Sequence, residues 1–553
     1  MDIDMTARNT VMTVLATLVL SAQALAATAA HRNTASVGAG FIVEAQSAAS
    51  AAQAVRRVGG RITHELPIIN GVSALLSPTQ AARLRHHADL QLFVDATVKT
   101  QGTPAIDKYA RTFIGADQLA AQGFFGTGVT VAVLDTGLWG SSKITKDMNG
   151  SNKVLATYDA IAGVAQSTPD GNGHGSHIAS IIGSANIAID GQPMGIAPMA
   201  KLVGVKAFDD SGSGSYANVI NGLNWILVNK ATYSIRVVNM SFGAAPQSYY
   251  WNDPIDQAVM KLWQAGVVVV TSAGNSGPSA QSITVPGNTP YVITVGAMTD
   301  NFTPGNTADD GIASFSSAGP TYEGFVKPDL VAPGGHMVGL MDGRVMSIAM
   351  QHPEFSTADK ATFTMSGTSQ AAAAVSGTVA LMLQANPSLT PDQVKCRLIS
   401  STASAVKANG TAAYTIFQQG AGLVNAYNAV YSQAANCANQ GLNIAKDIAG
   451  TAHYGGPAHQ DLITHTFFVI GSNGLPVLAD GYLWNQAFAK LQGYLWNNGY
   501  LWNNGYLWNN GYLWNQGYLW NNGYLWNNGY LWNQSTVAPA SSSMASESWN
   551  TQE

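Results

Sequence analysis

Five apolar runs constrain this chain more than any other feature: GVTVAVLD (128–135), AKLVGVKAF (200–208), IRVVNMSFG (235–243), GVVVVTSAGN (266–275) and YVITVGAM (291–298). Each is rich in β-branched residues and apolar on most of both faces, so as strands they must be covered on both sides. Between them, HIASIIG, YANVINGLNWILVNK and PIDQAVMKLWQAG carry apolar residues at helical spacing. Buried strands separated by helices predict an α/β fold with a mostly parallel sheet flanked by helices. In such sheets functional groups gather at the carboxyl ends of the strands.

Four residues stand at such places. Asp135 ends the strand of VAVLDTG, His174 sits in the glycine-rich DGNGHGSHIAS where a helix begins, Asn275 closes VVVVTSAGN, and Ser369 lies at the start of the alanine run in TMSGTSQAAAAVSG. By residue type these are a carboxylate that can fix an imidazole tautomer, an imidazole that can take a hydroxyl proton, an amide that can face an oxyanion, and a hydroxyl nucleophile. The serine stretch also has a plain reading. Ser366, Thr368, Ser369 and Ser376 can cap or decorate a helix that alanine favours.

The remaining chain divides by composition. Val11 to Ala30 carries no charge and contains Ala-Leu-Ala at 24–26, the small-residue pattern of a secretory cleavage site. Asp2 and Asp4 depart from a basic leader, and a start at Met5 removes both; a membrane anchor is the competing reading. Charged residues are 10% of the chain and the formal net charge is -5, which gives no electrostatic footprint for nucleic acid. The two cysteines, Cys396 and Cys437, either pair or stand as unrelated thiols. Residues 41–96 form a small α+β unit: FIVEAQ, GVSALL and DLQLFVD read as strands, SAASAAQAV and SPTQAARLRHH as helices. Ser77, Pro78 and Gln80 make a capping-box start. The exit ATVKTQGTPAIDK is polar and expected to be accessible.

The segments VAVLDTG, GHGSHIAS, VNMSFG, SAGNSG, KPDLVAPG and SGTSQAAAAVSG, in the order Asp, His, Asn, Ser, resemble the subtilisin-like serine proteases, the subtilase family, over roughly residues 104–433. The resemblance implies that Asp135 orients His174, that His174 is general base and then acid, and that Ser369 is the nucleophile. It also implies an oxyanion hole of Asn275 with the Ser369 backbone N–H. Ser241, Phe242 and Gly243 resemble the edge strand that pairs with substrate backbone and lines the first specificity pocket. Residues 31–101 resemble an inhibitory prodomain of ferredoxin-like type.

Departures from the family pattern are mild. Ala373 stands where Pro is usual, Ser176 for Thr and Ile178 for Val. The interval from Asn275 to Ser369 is long, and GLMDGRVMSIAMQHPEFSTADKAT reads as a surface insertion near the active face. A metal hydrolase would need a third ligand beside His174 and His177, and no His-Glu-x-x-His is present. His177 reads instead as a packed, hydrogen-bonded histidine. An α/β-hydrolase would need G-x-S-x-G and another chain order. FDDSGSGS (208–215) offers oxygen ligands for a structural calcium ion or is simply a solvated loop, so no ligand is assigned. The chemistry itself requires no cofactor.

After a connector, GYLWNQ at 481–486 and seven uninterrupted hexads from Gly493 to Gln534 hold eight of the thirteen tryptophans. Tyr-Leu-Trp favours strands and Asn-Gly favours tight turns, so short stacked strands with aromatic rows are one reading and a removable low-complexity tail the other. The expected organisation is a signal peptide (1–30), inhibitory prodomain (31–101), subtilisin-like catalytic domain (102–434), connector (435–480), hexapeptide repeats (481–534) and polar tail (535–553). The expected protein is a secreted, monomeric, self-processing serine endopeptidase of broad specificity, acting on proteins or peptides and inhibited by its own prodomain. Cleavage of the precursor is expected near residues 97–104. A neutral imidazole, ordinarily titrating near about 6.5, should make activity rise through neutrality. The alternative is a catalytically weak scaffold that displays the aromatic repeats to carbohydrate or a cell surface.

Overall fold

The computed structural model describes residues 39–100, 110–188, 191–303, 307–407, 412–461, 463–470, 476–478 and 494–495. The expected signal peptide, the polar tail and all the repeats except Tyr494–Leu495 lie outside the described residues. The chain divides into two compact units, the first built from residues up to 65 and 70–95, the second mainly from residue 96 onward.

The first unit runs β1 (Ala39–Glu44), α1 (Ala48–Arg57), β2 (Arg61–Leu66), β3 (Gly71–Leu76), α2 (Pro78–Arg85) and β4 (Gln91–Val94), with sheet order β2-β3-β1-β4. This is the split βαβ order of ferredoxin-like modules. Both helices start as their residues dictate. Ser47 Oγ accepts the N–H of Ser50, and Ser77 and Gln80 exchange the two bonds of a capping box at 3.3 and 2.8 Å. Val43, Val55, Val72, Leu76 and Leu84 fill the core between helices and sheet. β2 has no counterpart in the sequence reading, because RITHEL exposes every second residue and carries charge.

The second unit centres on a sheet ordered β14-β13-β12-β10-β6-β8-β7, with β15 also paired to β13. Its strands are β6 (Thr130–Asp135), β7 (Val154–Asp159), β8 (Lys201–Lys206), β10 (Ile235–Met240), β12 (Val268–Ser272), β13 (Ile293–Thr299), β14 (Gly311–Ile312) and β15 (Leu330–Pro333). All pairings are parallel except β13 with β14. The five apolar runs thus become β6, β8, β10, β12 and β13. β7 lies at the sheet edge with only Tyr158 buried, so it lacks the two-sided apolar pattern. The helices read from sequence are α3 (His174–Gly183), α4 (Tyr216–Asn229) and α5 (Pro254–Gln264).

The alanine run becomes α7 (Thr368–Ala385), numbered after α6 (Ser347–Gln351). Its residues from Thr368 to Leu383 are all buried, which small side chains permit for a helix passing through the core. Ala373 has zero exposure, so the residue standing where proline is usual is accommodated within a continuous helix.

Two smaller arrangements position the site. β5 (Thr97–Thr100) lies between β9 (Ser213–Ser215) and β11 (Phe242–Gly243), antiparallel to both. The exit segment expected to be open over these residues is therefore strand-paired on both edges. β16 (Met337–Leu340) and β17 (Thr362–Met365) form a hairpin whose connection contains α6.

Cys396, on α8 (Pro391–Ser400), forms a disulfide with Cys437 at a Cα separation of 5.1 Å. Beyond it, the stretch expected as a connector carries α9 (Ile444–Ile448) and β18 (Tyr454–Gly455), and β18 pairs antiparallel with Tyr494–Leu495 of the first uninterrupted hexad. Among the described residues no helix is long and apolar enough to cross a membrane.

Candidate active site

The site grows from the carboxyl ends of β6 and β10. These strands are parallel neighbours with Leu134 opposite Met240, so the next residues, Asp135 and Ser241, come level at the sheet's rim. Asp135 is fully buried, and its Oδ1 accepts the N–H of Thr136 and faces His174 Nδ1, each at 2.8 Å. Ser241 and Ser369 are joined reciprocally: Ser369 Oγ donates to Ser241 O at 3.0 Å, and Ser241 Oγ donates to Ser369 O at 2.9 Å. The imidazole hangs from one strand end and the hydroxyl from the adjacent one.

The other hydroxyls of the alanine helix have distinct tasks. Ser366 Oγ accepts from His336 N, and Ser376 Oγ donates to Asn239 Oδ1, whose amide donates on to Ser241 Oγ. Thr368 donates through its N–H and its Oγ1 to Asn275 Oδ1, at 3.0 and 2.8 Å. That pair fixes which way the Asn275 amide points. Among the described residues its Nδ2 group has no acceptor, and the side chain is only half-buried. The two readings of the serine stretch are compatible, since Ser369 is the second residue of the helix and its N–H lies in the first turn, where backbone donors lack intrahelical partners.

Sequence reasoning missed Asp170. Its buried carboxylate gathers Thr136 Oγ1, Asn172 N and Gly173 N on Oδ1 and Ser176 N and Oγ on Oδ2, at 2.6–3.1 Å. Burial pushes its pKa up, while the Ser176, Gly173 and Thr136 bonds oppose that. The available signal was an acid just ahead of His174 in a glycine-rich loop. Asn172 Oδ1 then accepts the His174 N–H, and Gly173, at φ 108°, makes the turn. The positive φ favours glycine at 173, and a Cβ there would also lie 2.8 Å from Met341 Sδ, so that side chain would have to shift. Ser176, the replacement for Thr, keeps the hydroxyl that both bonds Asp170 and accepts Trp139 N.

His177 is fully buried with Nε2 3.1 Å from Phe363 O, and burial followed by nearby His174 pushes it down to about 3. It is a neutral packing residue. The long insertion is a brace: Ser347 N donates to Gly171 O at 2.8 Å and Ile348 N to Asn172 O at 3.2 Å. Contrary to the expected surface insertion, its Met341, Met346 and Ala349 are buried in a cluster with Phe363 and Met365, and Trp139 packs alongside. Asp209 Oδ1 in FDDSGSGS accepts from Ser211 N, Ser211 Oγ and Ser213 N, and Asp210 pairs with Lys206. Those acids organise their own loop. Among the described residues no group of three His, Cys, Asp or Glu could hold a metal ion.

The strand Phe242–Gly243 is joined to two other segments. Ala244, next to Gly243, exchanges backbone bonds with Val285 at 3.2 and 2.9 Å, and Ser272 Oγ donates to Phe242 O.

Comparison with known proteins matches residues 126–422 to the family described as the subtilase family. Serine protease AprX of Bacillus subtilis is 40% identical over 313 residues, which are 56% of this chain and 67% of that one. Subtilisin DY of Bacillus licheniformis is 34% identical over 322 residues, 57% of this chain and 96% of that one. Among solved structures, fervidolysin of Fervidobacterium pennivorans, a keratinolytic enzyme related to subtilisin, superposes with a TM-score of 0.56 at 23% identity, covering 73% of this chain and 62% of that one. The structural likeness is one of fold.

Proposed function

The chain belongs to the subtilase family, and from that premise we propose that it is a secreted serine endopeptidase, made as a precursor that cuts itself. The observation that carries the proposal is the buried His174–Asp135 pair set on the strand next to the one whose Ser241 holds Ser369. Asp135 keeps the His174 proton on Nδ1, which leaves Nε2 as the base. Ser369 Oγ gives up its bond to Ser241 O, passes its proton to Nε2 and attacks the peptide carbonyl. The oxyanion is met by Asn275 Nδ2 and the Ser369 N–H. The imidazolium returns the proton to the leaving amine, giving an acyl-enzyme that water hydrolyses by the same steps.

Self-processing is supported by β5. It occupies the antiparallel position beside Phe242–Gly243 that the family gives to substrate, with Thr100 opposite Phe242 and Lys99 opposite Gly243. The pairing reaches the residue next to Ser241, so cleavage is expected at the bonds just after Thr100. A segment bound in this way also blocks the edge to other chains, which is how a prodomain acts as inhibitor. Pairing through backbone supports broad specificity for protein substrates. We assign calcium no ligand, take the enzyme as a monomer, and keep both readings of the aromatic repeats, a carbohydrate or surface attachment and a removable tail. The inactive-scaffold alternative is disfavoured, since every group the chemistry needs is present.

The test is Ser369→Ala in the full-length precursor. The parent should shed its prodomain, acquire a new N-terminus close to Thr100 and be labelled by a serine-directed phosphonate, while the variant does none of these. In subtilisin, loss of this serine lowers turnover by about a millionfold. A variant that still matures alone, or a parent that the reagent leaves unlabelled, would defeat the proposal.

A further inference from the structure

Residues past the end of the family match reach back to the segments that flank Phe242–Gly243 and Val285. Asp447, on α9, is buried, with Oδ2 accepting Tyr250 Oη at 2.6 Å and Tyr291 Oη at 2.9 Å, and Oδ1 2.8 Å from His453 Nδ1. Both phenols are buried as well. Tyr250 belongs to the loop leaving Gly243, and Tyr291 to the segment leaving Val285. These are the two chain segments that Ala244 and Val285 stitch together beside Phe242–Gly243, the strand that the resemblance gives to substrate. One carboxylate from outside the family core therefore ties the far ends of both segments.

The rest of the extension is bound to the same places. Tyr454 N donates to Tyr250 Oη at 3.3 Å, Gly456 N to Glu323 O at 2.7 Å, and Glu323 Oε1 accepts Tyr250 N at 2.9 Å. Asn439, at the start of the extension, accepts at Oδ1 from Lys395 Nζ of the family core, which also donates to Pro290 O, Tyr291 O and Val292 O, all at 2.7–3.3 Å, beside the Cys396–Cys437 disulfide. Asn439 Nδ2 also donates to Tyr291 O at 3.1 Å. Removing Asp447 would leave two buried hydroxyls without this acceptor, and such groups relax by moving toward new partners or water. The loops that carry them would move with them.

We propose that residues 437–458 are a clasp that sets the shape of the first specificity pocket, with Asp447 as its positioning residue. The clasp rests on the protease reading, but its test fails separately. Asp447→Ala and Asp447→Asn are made in the full-length precursor, matured, and titrated with the phosphonate so that constants are expressed per active site. kcat and KM are then measured on peptide anilides with Ala, Leu or Phe before the cleaved bond. Asp447→Ala is expected to raise KM for Phe by about tenfold while kcat per site stays within about twofold, the pattern of lost binding common to ground and transition states. The Ala substrate should change least, and Asp447→Asn, which keeps one acceptor oxygen, should recover part of the loss. Should Asp447→Ala not fold, Tyr291→Phe supplies the same readout, because it removes one tie and leaves Asp447 its other donors. A merely structural role would reduce the titratable fraction and leave the three KM values in their parental ratio. That result overturns the clasp, whereas an unlabelled parent overturns the protease reading beneath it.

Discussion

Asp170→Asn is the sharpest test of how the histidine is held. The carboxylate accepts five hydrogen bonds, three on Oδ1 and two on Oδ2. An amide best keeps its oxygen on the Oδ1 side, where Thr136, Asn172 and Gly173 donate, and so places its N–H2 group against Ser176. The Ser176 hydroxyl can rotate and accept from that group, but the Ser176 backbone N–H cannot reverse. The substitution therefore orphans one buried donor, at about 1–3 kcal/mol, and gives up one bond to a charged acceptor, so a total of roughly 2–4 kcal/mol is expected. The opposite amide orientation orphans both Asn172 and Gly173 and costs more. Urea unfolding of the variant in a Ser369→Ala background, free of self-digestion, reads this directly. In the active background, kcat per titrated site should fall, because Asn172 and Gly173 lead straight into His174. A variant within about 0.5 kcal/mol of its parent, the range of ordinary surface substitutions, would show that the five donors do not hold the loop.

Asn275→Ala should lower kcat by about 10²–10³-fold with little change in KM, the size known for losing one oxyanion donor in subtilisin itself; steady-state kinetics showing a loss in KM alone would remove Asn275 from that role. Burial pushes Glu323 up to about 6 from its ordinary 4.5. A raised folded-state value means that its stabilising contribution is complete below about pH 4.5 and is lost as pH rises through about 6, a difference of roughly 2 kcal/mol. Glu323→Gln should therefore gain stability over its Ser369→Ala parent above pH 6 and none below pH 4.5 in unfolding titrations, and an offset independent of pH would contradict the linkage.

The sequence alone determined five strands of the main sheet and singled out four candidate residues. β6, β8, β10, β12 and β13 were legible because a strand covered on both faces is apolar at most positions, and that requirement is local. The starts of α1 and α2 were legible for the same reason, since Ser47, Ser77 and Gln80 act within one turn. Asp135, His174, Asn275 and Ser369 stood out because each follows or opens an element in a short motif. Only tertiary structure decided the rest. Asp170 is ordinary until Thr136, at the end of β6, joins the donors of its own loop, and the Ser241–Ser369 exchange needs the end of β10 brought to the start of α7. β7 and β2 escaped notice because partial exposure erases the apolar pattern. The placement of β5 beside Phe242, and the tie from Asp447 to Tyr250 and Tyr291, join residues remote along the chain through backbone edges and buried polar groups. Such contacts leave no periodic trace in the segments that make them.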